Sequence, residues 1–165
     1  MKKPVFNYGL RDVEHARELA QKVCDVLGHG EKGVAAALLL ETAAAETQMG
    51  TFRDRTPLDG FGLCQNDRIG ILDIQKRARD RDVEAVRRAF GYNIRTVQPE
   101  ALNDDPLLSF IFCRLHYKLR PEIIPASFAG RATYWKWFYN TKAGKGTPEH
   151  YMKSAERHLY KTPKE

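Results

Sequence analysis

A chain of 165 residues with 42% hydrophobic and 29% charged residues has the balance of one globular domain, which excludes a disordered polymer. Its net charge of +6 favours anionic partners, namely nucleic acid, anionic lipid or a cell-wall polymer. The longest apolar run, Val34 to Leu40, is too short to cross a bilayer, so we expect no integral membrane segment. The basic residues after Met1 lead into no apolar stretch of the secretory-signal kind.

The first half of the chain predicts two helices followed by an irregular segment. Apolar residues recur at helical spacing from Asp12 to Leu27, and Gly28 follows as a stop. Gly33 to Thr47 is rich in Ala and Leu and carries almost no charge, so this helix should be buried on most sides. Met49 to Gln65 turns to Gly, Pro, Thr and Asp, which indicates a loop or a short, poorly formed β-hairpin.

The second half is also mainly helical. Basic helical patterns run from Ile71 to Arg79 and from Val83 to Phe90, and Pro106 to Lys118 is an apolar helix with proline in its first turn. Arg131 to Tyr139 carries an aromatic cluster, and the segment that starts at Thr147 opens a further helix with an N-cap and a proline. We therefore predict a mainly α fold, one domain over residues 1–165, with a small irregular or β element after the second helix.

Three cysteines, Cys24, Cys64 and Cys113, are widely spaced and form no CxxC pair. Their odd number leaves no complete pairing into disulfides. They are typical of reduced core thiols in a protein made in the cytosol, and they predict neither a metal site nor a cofactor.

Two glutamates, Glu41 and Glu46, interrupt the otherwise apolar second helix. Burying a carboxylate is unfavourable unless it is paired or protonated, so both need an explanation. Five positions apart, they differ by roughly 140° around the helix axis and should face different directions. We expect a structural role for Glu41, either ion-paired or capping a loop.

Glu46 is the candidate general acid. It stands at the C-terminal end of the helix, where unpaired carbonyls disfavour an ionised carboxylate, and partial burial acts in the same direction. Both effects favour a protonated carboxyl near neutral pH, as glycoside cleavage requires of the group that protonates the departing oxygen. From position alone, a salt bridge to one of the many arginines is the simpler explanation.

Three separated segments resemble lysozyme-like lytic transglycosylases, especially their compact phage and prophage forms. Thr42-Ala43-Ala44-Ala45-Glu46-Thr47-Gln48-Met49-Gly50 is similar to the family's Glu-Ser motif, and Gly60-Phe61-Gly62-Leu63-Cys64-Gln65 to its Gly-Leu-Met-Gln motif. Tyr134-Trp135-Lys136-Trp137-Phe138-Tyr139-Asn140-Thr141 resembles the phage form's Tyr-Trp-Lys…Tyr-Asn segment. The resemblance covers about residues 33 to 155, with Thr47 in place of the usual Ser and Cys64 in place of the usual Met or Phe.

The resemblance implies an α+β, lysozyme-like fold and a role for individual residues. Glu46 would be the acid that later acts as base. Tyr139 and Asn140 would close the cleft, and the hydroxyl of Tyr139 would help to orient Glu46. The substrate-binding residues that the resemblance implies are Gln65, Tyr139, Asn140, Thr47 and Leu63.

The implied reaction is cleavage of the β-1,4 bond between N-acetylmuramic acid and N-acetylglucosamine in peptidoglycan. Family members manage with one Glu, whereas a two-carboxylate muramidase needs a second carboxylate, for which Asp54 and Asp59 are the candidates. Asp prefers turns, so we expect both to be structural. The protein would be a monomer without cofactor, made in the host bacterial cytoplasm and acting on the periplasmic wall, as a lysis enzyme or a virion-borne one.

Two other classes of function compete with this interpretation. A nucleic-acid-binding module would use the basic runs Lys76 to Arg81 and Arg87-Arg88, but interspersed acidic residues indicate a solvated helix face, so we expect no nucleic acid partner. A non-catalytic wall-binding or virion protein on the same scaffold is disfavoured by the retained Glu46.

Three further side chains invite a functional interpretation, and we expect at least two of them to be structural. Trp135 and Trp137 offer flat faces to sugar rings, but alternate positions of one helix cannot both face one groove, so at least one should be core. His116 is expected to be a packed or hydrogen-bonded helix residue rather than a ligand.

Overall fold

The structure is a computed structural model that describes residues 3–53, 60–140 and 144–161. Within these ranges the fold is mainly α, as predicted, with one small antiparallel sheet. The elements are α1 Val13–Leu27, α2 Ala35–Thr47, β1 Gly60–Phe61, β2 Asn66–Asp67, α3 Arg68–Arg77, α4 Asp80–Phe90, α5 Pro106–Lys118, α6 Phe128–Trp135 and α7 Pro148–Ala155, with a 3-10 helix at Pro99–Asp104 and π-helical turns at Lys136–Asn140 and Glu156–Tyr160. Each of these helices is too short or too polar to span a lipid bilayer.

Helix α1 begins and ends where its sequence predicts. The side chain of Asp12 accepts a hydrogen bond from the backbone N–H of His15 at 2.7 Å, which satisfies one of the free donors of the first turn. Gly28 ends the helix with φ of 101°, a conformation that glycine adopts without strain. The apolar face of α1 packs against α2 and α5.

Helix α2 is the central element of the core. Its flanks pack against α1, α5 and α7, which explains why nearly every position is apolar. The helix begins at Ala35 rather than at the predicted Gly33, because Gly33 adopts a left-handed φ of 71°. It ends at Thr47, and Gln48 follows in a left-handed conformation with φ of 52°. The end of α2 therefore turns sharply, directly after Glu46.

A short β-hairpin follows the helix, within the segment predicted as a loop or poorly formed hairpin. Strands β1 and β2 pair antiparallel, with Gly60 opposite Asp67 and Phe61 opposite Asn66. Gly62 in the connecting turn has φ of 78°, and a Cβ there would lie 2.6 Å from the carbonyl oxygen of Leu102. Only glycine fits in this turn, because the backbone at Leu102 leaves no room for a side chain.

Helices α3 and α4 carry the basic surface. Helix α3 begins at Arg68, three residues before the predicted start, because Asp67 accepts a hydrogen bond from the backbone N–H of Gly70 at 2.5 Å and caps it. On α4, Arg87 and Arg88 both pair with Glu84. These contacts agree with the predicted solvated face.

The aromatic segment and the last helix close the core over α2. Helix α6 continues into the π-helical turn Lys136–Asn140, which together contain the predicted aromatic cluster. Helix α7 starts as predicted, with the Thr147 side chain accepting from the backbone N–H of His150 at 3.1 Å. The predicted core thiols are confirmed: Cys24, Cys64 and Cys113 are buried and unbridged.

Candidate active site

Glu46 lies in the last turn of α2, and its carboxylate is held by Trp135. The indole Nε1 of Trp135 donates a hydrogen bond to Oε2 of Glu46 at 3.0 Å. Glu46 is half-buried, whereas Trp135 is only 1% exposed. A buried indole N–H needs an acceptor, and here the acceptor is the candidate acid. One carboxylate oxygen of Glu46 is therefore fixed from the protein side.

Burial controls the protonation of this carboxyl. Desolvation raises the pKa of Glu46 to about 7, and the hydrogen bond from Trp135 opposes part of that rise by favouring the charged form. No carboxylate of the described ranges contributes to the shift. At neutral pH a large fraction of Glu46 is thus protonated, which is the state that a general acid needs.

Trp135 is itself held by α7 and by the loop before it. The ring of Tyr151 lies 5.3 Å from the Trp135 ring, centroid to centroid. A Cβ at Gly146 would lie 2.4 Å from Cη2 of Trp135, so the backbone packs directly on the indole edge. Nε2 of His150 donates to the carbonyl oxygen of Ala45 at 2.9 Å, which ties α7 to the residue before Glu46. These contacts fix the position of the donor relative to the acid.

Thr47 joins the end of α2 to the hairpin turn. Its hydroxyl lies 2.8 Å from the carbonyl oxygen of Leu63 and accepts from the backbone N–H of Gly50 at 3.0 Å. Thr47 is 1% exposed and Leu63 is fully buried. The expectation that these two residues contact substrate is therefore corrected, because neither side chain reaches solvent. They position the turn that carries Gln65 relative to the helix that carries Glu46.

Tyr139 contacts the hairpin rather than Glu46. Its hydroxyl donates to the carbonyl oxygen of Cys64 at 2.5 Å, and a hydroxyl has one proton to donate. The prediction that this hydroxyl orients Glu46 is therefore wrong, and the indole of Trp135 occupies that role. Burial raises the pKa of Tyr139 well above its usual range, and the charge of Glu46 adds to the rise, which places the two groups in one electrostatic neighbourhood.

Gln65 and Tyr139 are brought together at a small cavity. Both line a space of about 30 Å³, together with His116 and others. Nε2 of Gln65 donates to the carbonyl oxygen of Gly62 at 2.8 Å, and the residue adopts a left-handed φ of 52°. Such a backbone conformation is sparsely populated for residues with a side chain and is found preferentially at functional sites. Gln65 is half-buried, so a ligand can reach it.

Lys136 links Asn140 to the segment that leads to α7. Nζ of Lys136 donates to Oδ1 of Asn140 at 2.9 Å and to the carbonyl oxygen of Gly144 at 2.7 Å. A Cβ at Gly146 would lie 3.0 Å from Nδ2 of Asn140 and also against Trp135, so Asn140 sits beside the indole that holds the acid. Its contact with substrate stays a prediction.

Glu41 is part of a buried hydrogen-bonded network, as its predicted structural role requires. Arg131 donates to its two oxygens at 2.8 and 2.9 Å, in the bidentate geometry that strengthens such pairs. The hydroxyl of Tyr151 donates to Oε1 at 2.7 Å, and that of Tyr160 to Oε2. The two glutamates thus face different partners, and only Glu46 lacks a cation among the described residues.

The two tryptophans and His116 have the surroundings that were predicted for them. Trp135 is core and Trp137 is 52% exposed. His116 is hydrogen-bonded, since its Nε2 donates to the carbonyl oxygen of Phe138 at 2.6 Å, and burial lowers its pKa. Asp54 and Asp59 lie outside the described residues. In the ranges that are described, no group of three His, Cys, Asp or Glu side chains could hold a metal ion.

Comparison of the chain with protein-family models, with curated proteins and with solved structures found no match.

Proposed function

We propose that this protein cleaves the β-1,4 glycosidic bond between N-acetylmuramic acid and N-acetylglucosamine in peptidoglycan, as a lytic transglycosylase with Glu46 as acid and then base. One observation carries the proposal: a half-buried glutamate at a helix end, with a pKa raised to about 7 and one oxygen held by a buried indole. Such a carboxyl can hold a proton at neutral pH and release it to a substrate.

The acid step uses the oxygen that Trp135 does not hold. Because Oε2 of Glu46 accepts from the indole, Oε1 is left to deliver its proton to the leaving glycosidic oxygen. The C1–O bond breaks with its electron pair on that oxygen, leaving an oxocarbenium-like sugar. Glu46 becomes an anion, and the Trp135 hydrogen bond strengthens because its acceptor is now charged. The indole thus stabilises the state that the reaction creates.

The base step needs no second carboxylate. The sugar's own C6 hydroxyl attacks C1, and its proton passes to Oε1 of the ionised Glu46, which restores the acid and leaves a 1,6-anhydro ring. An intramolecular attack outcompetes water when the hydroxyl is held close to the reacting carbon. This route is consistent with a pKa of Glu46 that no other described carboxylate perturbs. A hydrolytic muramidase would instead use Asp54 or Asp59 to position water.

The proposal includes a lysozyme-like fold and a phage context. A buried helix that ends in the acid and is followed by a small hairpin is the arrangement that the motif resemblance implies. The net charge of +6 suits an anionic wall polymer. In this proposal the protein is a monomeric lysis or wall-penetration enzyme that reaches the periplasmic wall from the host cytoplasm or from the virion.

The test is the loss of the acid without loss of the fold. Glu46→Gln should reduce the clearing of purified peptidoglycan by at least about a hundredfold, the usual scale for a general acid. Glu18→Gln removes the same charge from an exposed position of α1 and should retain the wild-type rate. Circular dichroism and thermal unfolding should show both variants folded. A folded Glu46→Gln variant with more than a tenth of the wild-type rate would contradict the proposal.

A further inference from the structure

A cavity of about 300 Å³ opens next to the end of α2, where Gln48 and Met49 line it. Its wall comes from three parts of the chain that are distant in sequence. These are the N-terminal segment with Phe6, the turn after α2 with Gln48 and Met49, and the C-terminal residues Arg157 and Lys161. The cavity is therefore built by tertiary packing rather than by one local loop.

The cavity wall continues directly from the acid. Gln48 follows Glu46 by two residues, a length of chain that spans at most about 7 Å. Gln48 and Met49 are both left-handed, with φ of 52° and 55°. Two consecutive non-glycine residues in this region are uncommon, and such backbone is found preferentially at functional sites. The backbone N–H of Asn7 donates to the carbonyl oxygen of Gly50 at 2.7 Å, which holds the turn against the N-terminal segment.

The chemistry of the cavity is an apolar floor with a cationic rim. Phe6 and Val13 are half-buried, and Met49 is fully buried. Arg157 and Lys161 stand at the rim, and none of the described residues that line the cavity is acidic. Such a surface fits a carboxylate attached to short aliphatic groups, because the cations pair with the anion and the floor covers the apolar atoms.

The cationic rim extends along one face of the C-terminal helix. Lys153 lines a shallow surface together with Arg157 and Lys161, so three cations at intervals of four residues share this face. Glu156 also lines this shallow surface, but it does not line the cavity. Burial and the neighbouring Arg157 lower the pKa of His158, which lines the cavity and is therefore mostly neutral at pH 7. The positive charge of the cavity thus comes from Arg157 and Lys161.

We propose that this cavity binds the carboxylate-bearing stem peptide of peptidoglycan, an inference that rests on the proposed function. The stem peptide is joined to the lactyl group of N-acetylmuramic acid, one of the two sugars at the bond that Glu46 would cleave. It therefore leaves the glycan strand close to the acid. Its free carboxylates pair with Arg157 and Lys161, and its alanine methyl groups lie on the half-buried side chains of Phe6 and Val13.

Direct binding tests the proposal without any cleavage. A synthetic stem tetrapeptide with free carboxylates is titrated into the ¹⁵N-labelled protein, and the amide resonances of Gln48, Met49 and Thr51 should shift. Arg157→Gln should weaken the binding at least about fivefold, because one charge-assisted contact is lost. Arg81→Gln removes the same charge from an exposed position of α4 and should leave the affinity unchanged. Inorganic phosphate should bind more weakly than the peptide.

Cleavage assays on two substrates distinguish the stem-peptide site from the proposed glycan-cleaving function. Intact peptidoglycan and glycan strands stripped of their peptides by an amidase are compared as substrates. Arg157→Gln should slow cleavage of the intact polymer at low substrate concentration and leave the stripped strands unaffected. Unshifted Gln48, Met49 and Thr51 resonances, equal weakening by Arg81→Gln, or phosphate binding as tight as the peptide would each overturn the stem-peptide site. Peptide binding by a protein that cleaves neither substrate would contradict the proposed function and leave the peptide site standing.

Discussion

Nε1 of Trp135 lies 3.0 Å from Oε2 of Glu46, across 89 positions of sequence, and joins the end of α6 to the end of α2. Burial disfavours the charge on this carboxyl, and the indole favours it. The balance leaves Glu46 able to exist in both protonation states near neutral pH. Acid–base catalysis by one residue requires both states in turn.

Replacing the indole should change both the rate and its pH dependence. Trp135→Phe removes the N–H that stabilises ionised Glu46, so the pKa of Glu46 rises further and the alkaline limb of the activity profile moves to higher pH. The maximal rate should fall about tenfold or more, since a hydrogen bond to a charged group is lost. Initial rates of wall clearing between pH 5 and 9 measure both effects.

The matched control for that variant is Trp137→Phe. Trp137 is the exposed tryptophan two positions further along, so the same substitution there leaves the contact with Glu46 intact. Its pH profile should overlay that of the wild type. An unchanged profile for Trp135→Phe would mean that the indole only packs against α2.

Glu46 should also destabilise the fold at alkaline pH. Its folded-state pKa, about 7, lies above the ordinary value of 4.5, so its contribution to stability is present below pH 4.5 and is lost as the pH rises through 7. Glu46→Gln cannot ionise, and its free energy of unfolding at pH 8 should exceed the wild-type value by on the order of 2 kcal/mol. Urea unfolding at pH 5 and pH 8 measures the difference, which should shrink at the lower pH. A constant difference between the variants would show that burial does not shift this carboxyl.

Glu41 should affect stability and not chemistry. Glu41→Gln leaves the guanidinium of Arg131 buried without its counter-charge, which should lower the free energy of unfolding by about 3–5 kcal/mol. Arg131→Met in the same chain removes that orphaned cation, so the double variant should be more stable than the sum of the two single changes indicates. Urea unfolding of the four proteins measures this coupling. Per folded molecule, the cleavage rate should stay near wild type, because Glu41 is bound by Arg131 and two tyrosines, whereas Trp135 binds Glu46.

The hydroxyl of Thr47 should be required for the link between α2 and the hairpin. Thr47→Val keeps the shape of the side chain but leaves the backbone N–H of Gly50 without its partner and removes the donor to Leu63, so stability should fall by about 1–3 kcal/mol. Thr47→Ser keeps the hydroxyl and should change stability by less than about 1 kcal/mol. Serine is also the residue that the family motif has at this position. Guanidinium unfolding compares the two. Equal losses would assign the role of Thr47 to its methyl group.

The helices were predictable wherever apolar periodicity coincided with a capping residue. Asp12 and Gly28 delimit α1 as expected, and Thr147 starts α7. Helix α3 begins three residues before its predicted start because Asp67 belongs to the hairpin and also caps the helix. The 3-10 helix Pro99–Asp104 was not predicted, since a helix of one or two turns shows no periodicity.

The acid was predictable, but its partners were not. A carboxylate in an apolar helix is conspicuous in the sequence, and the motif resemblance indicates Glu46. Which donor meets it depends on how α6 packs on α2, and both Trp135 and Tyr139 lie in the same aromatic segment. Side-chain chemistry favours Trp135 as the donor to Glu46, because a buried indole N–H requires an acceptor whereas the Tyr139 hydroxyl can donate to any nearby carbonyl. The burial of Thr47 and Leu63 likewise follows from tertiary packing.

The products of digestion test the central claim most directly. Peptidoglycan digested to completion is separated, and the muropeptide ends are identified by mass spectrometry, where a 1,6-anhydro end and a reducing end differ by one water. The single-carboxylate mechanism of Glu46 predicts 1,6-anhydromuramyl ends, together with Asp54→Asn and Asp59→Asn variants that keep most of the activity. Reducing ends, with an inactive Asp54→Asn or Asp59→Asn variant, would contradict it and make the protein a two-carboxylate muramidase.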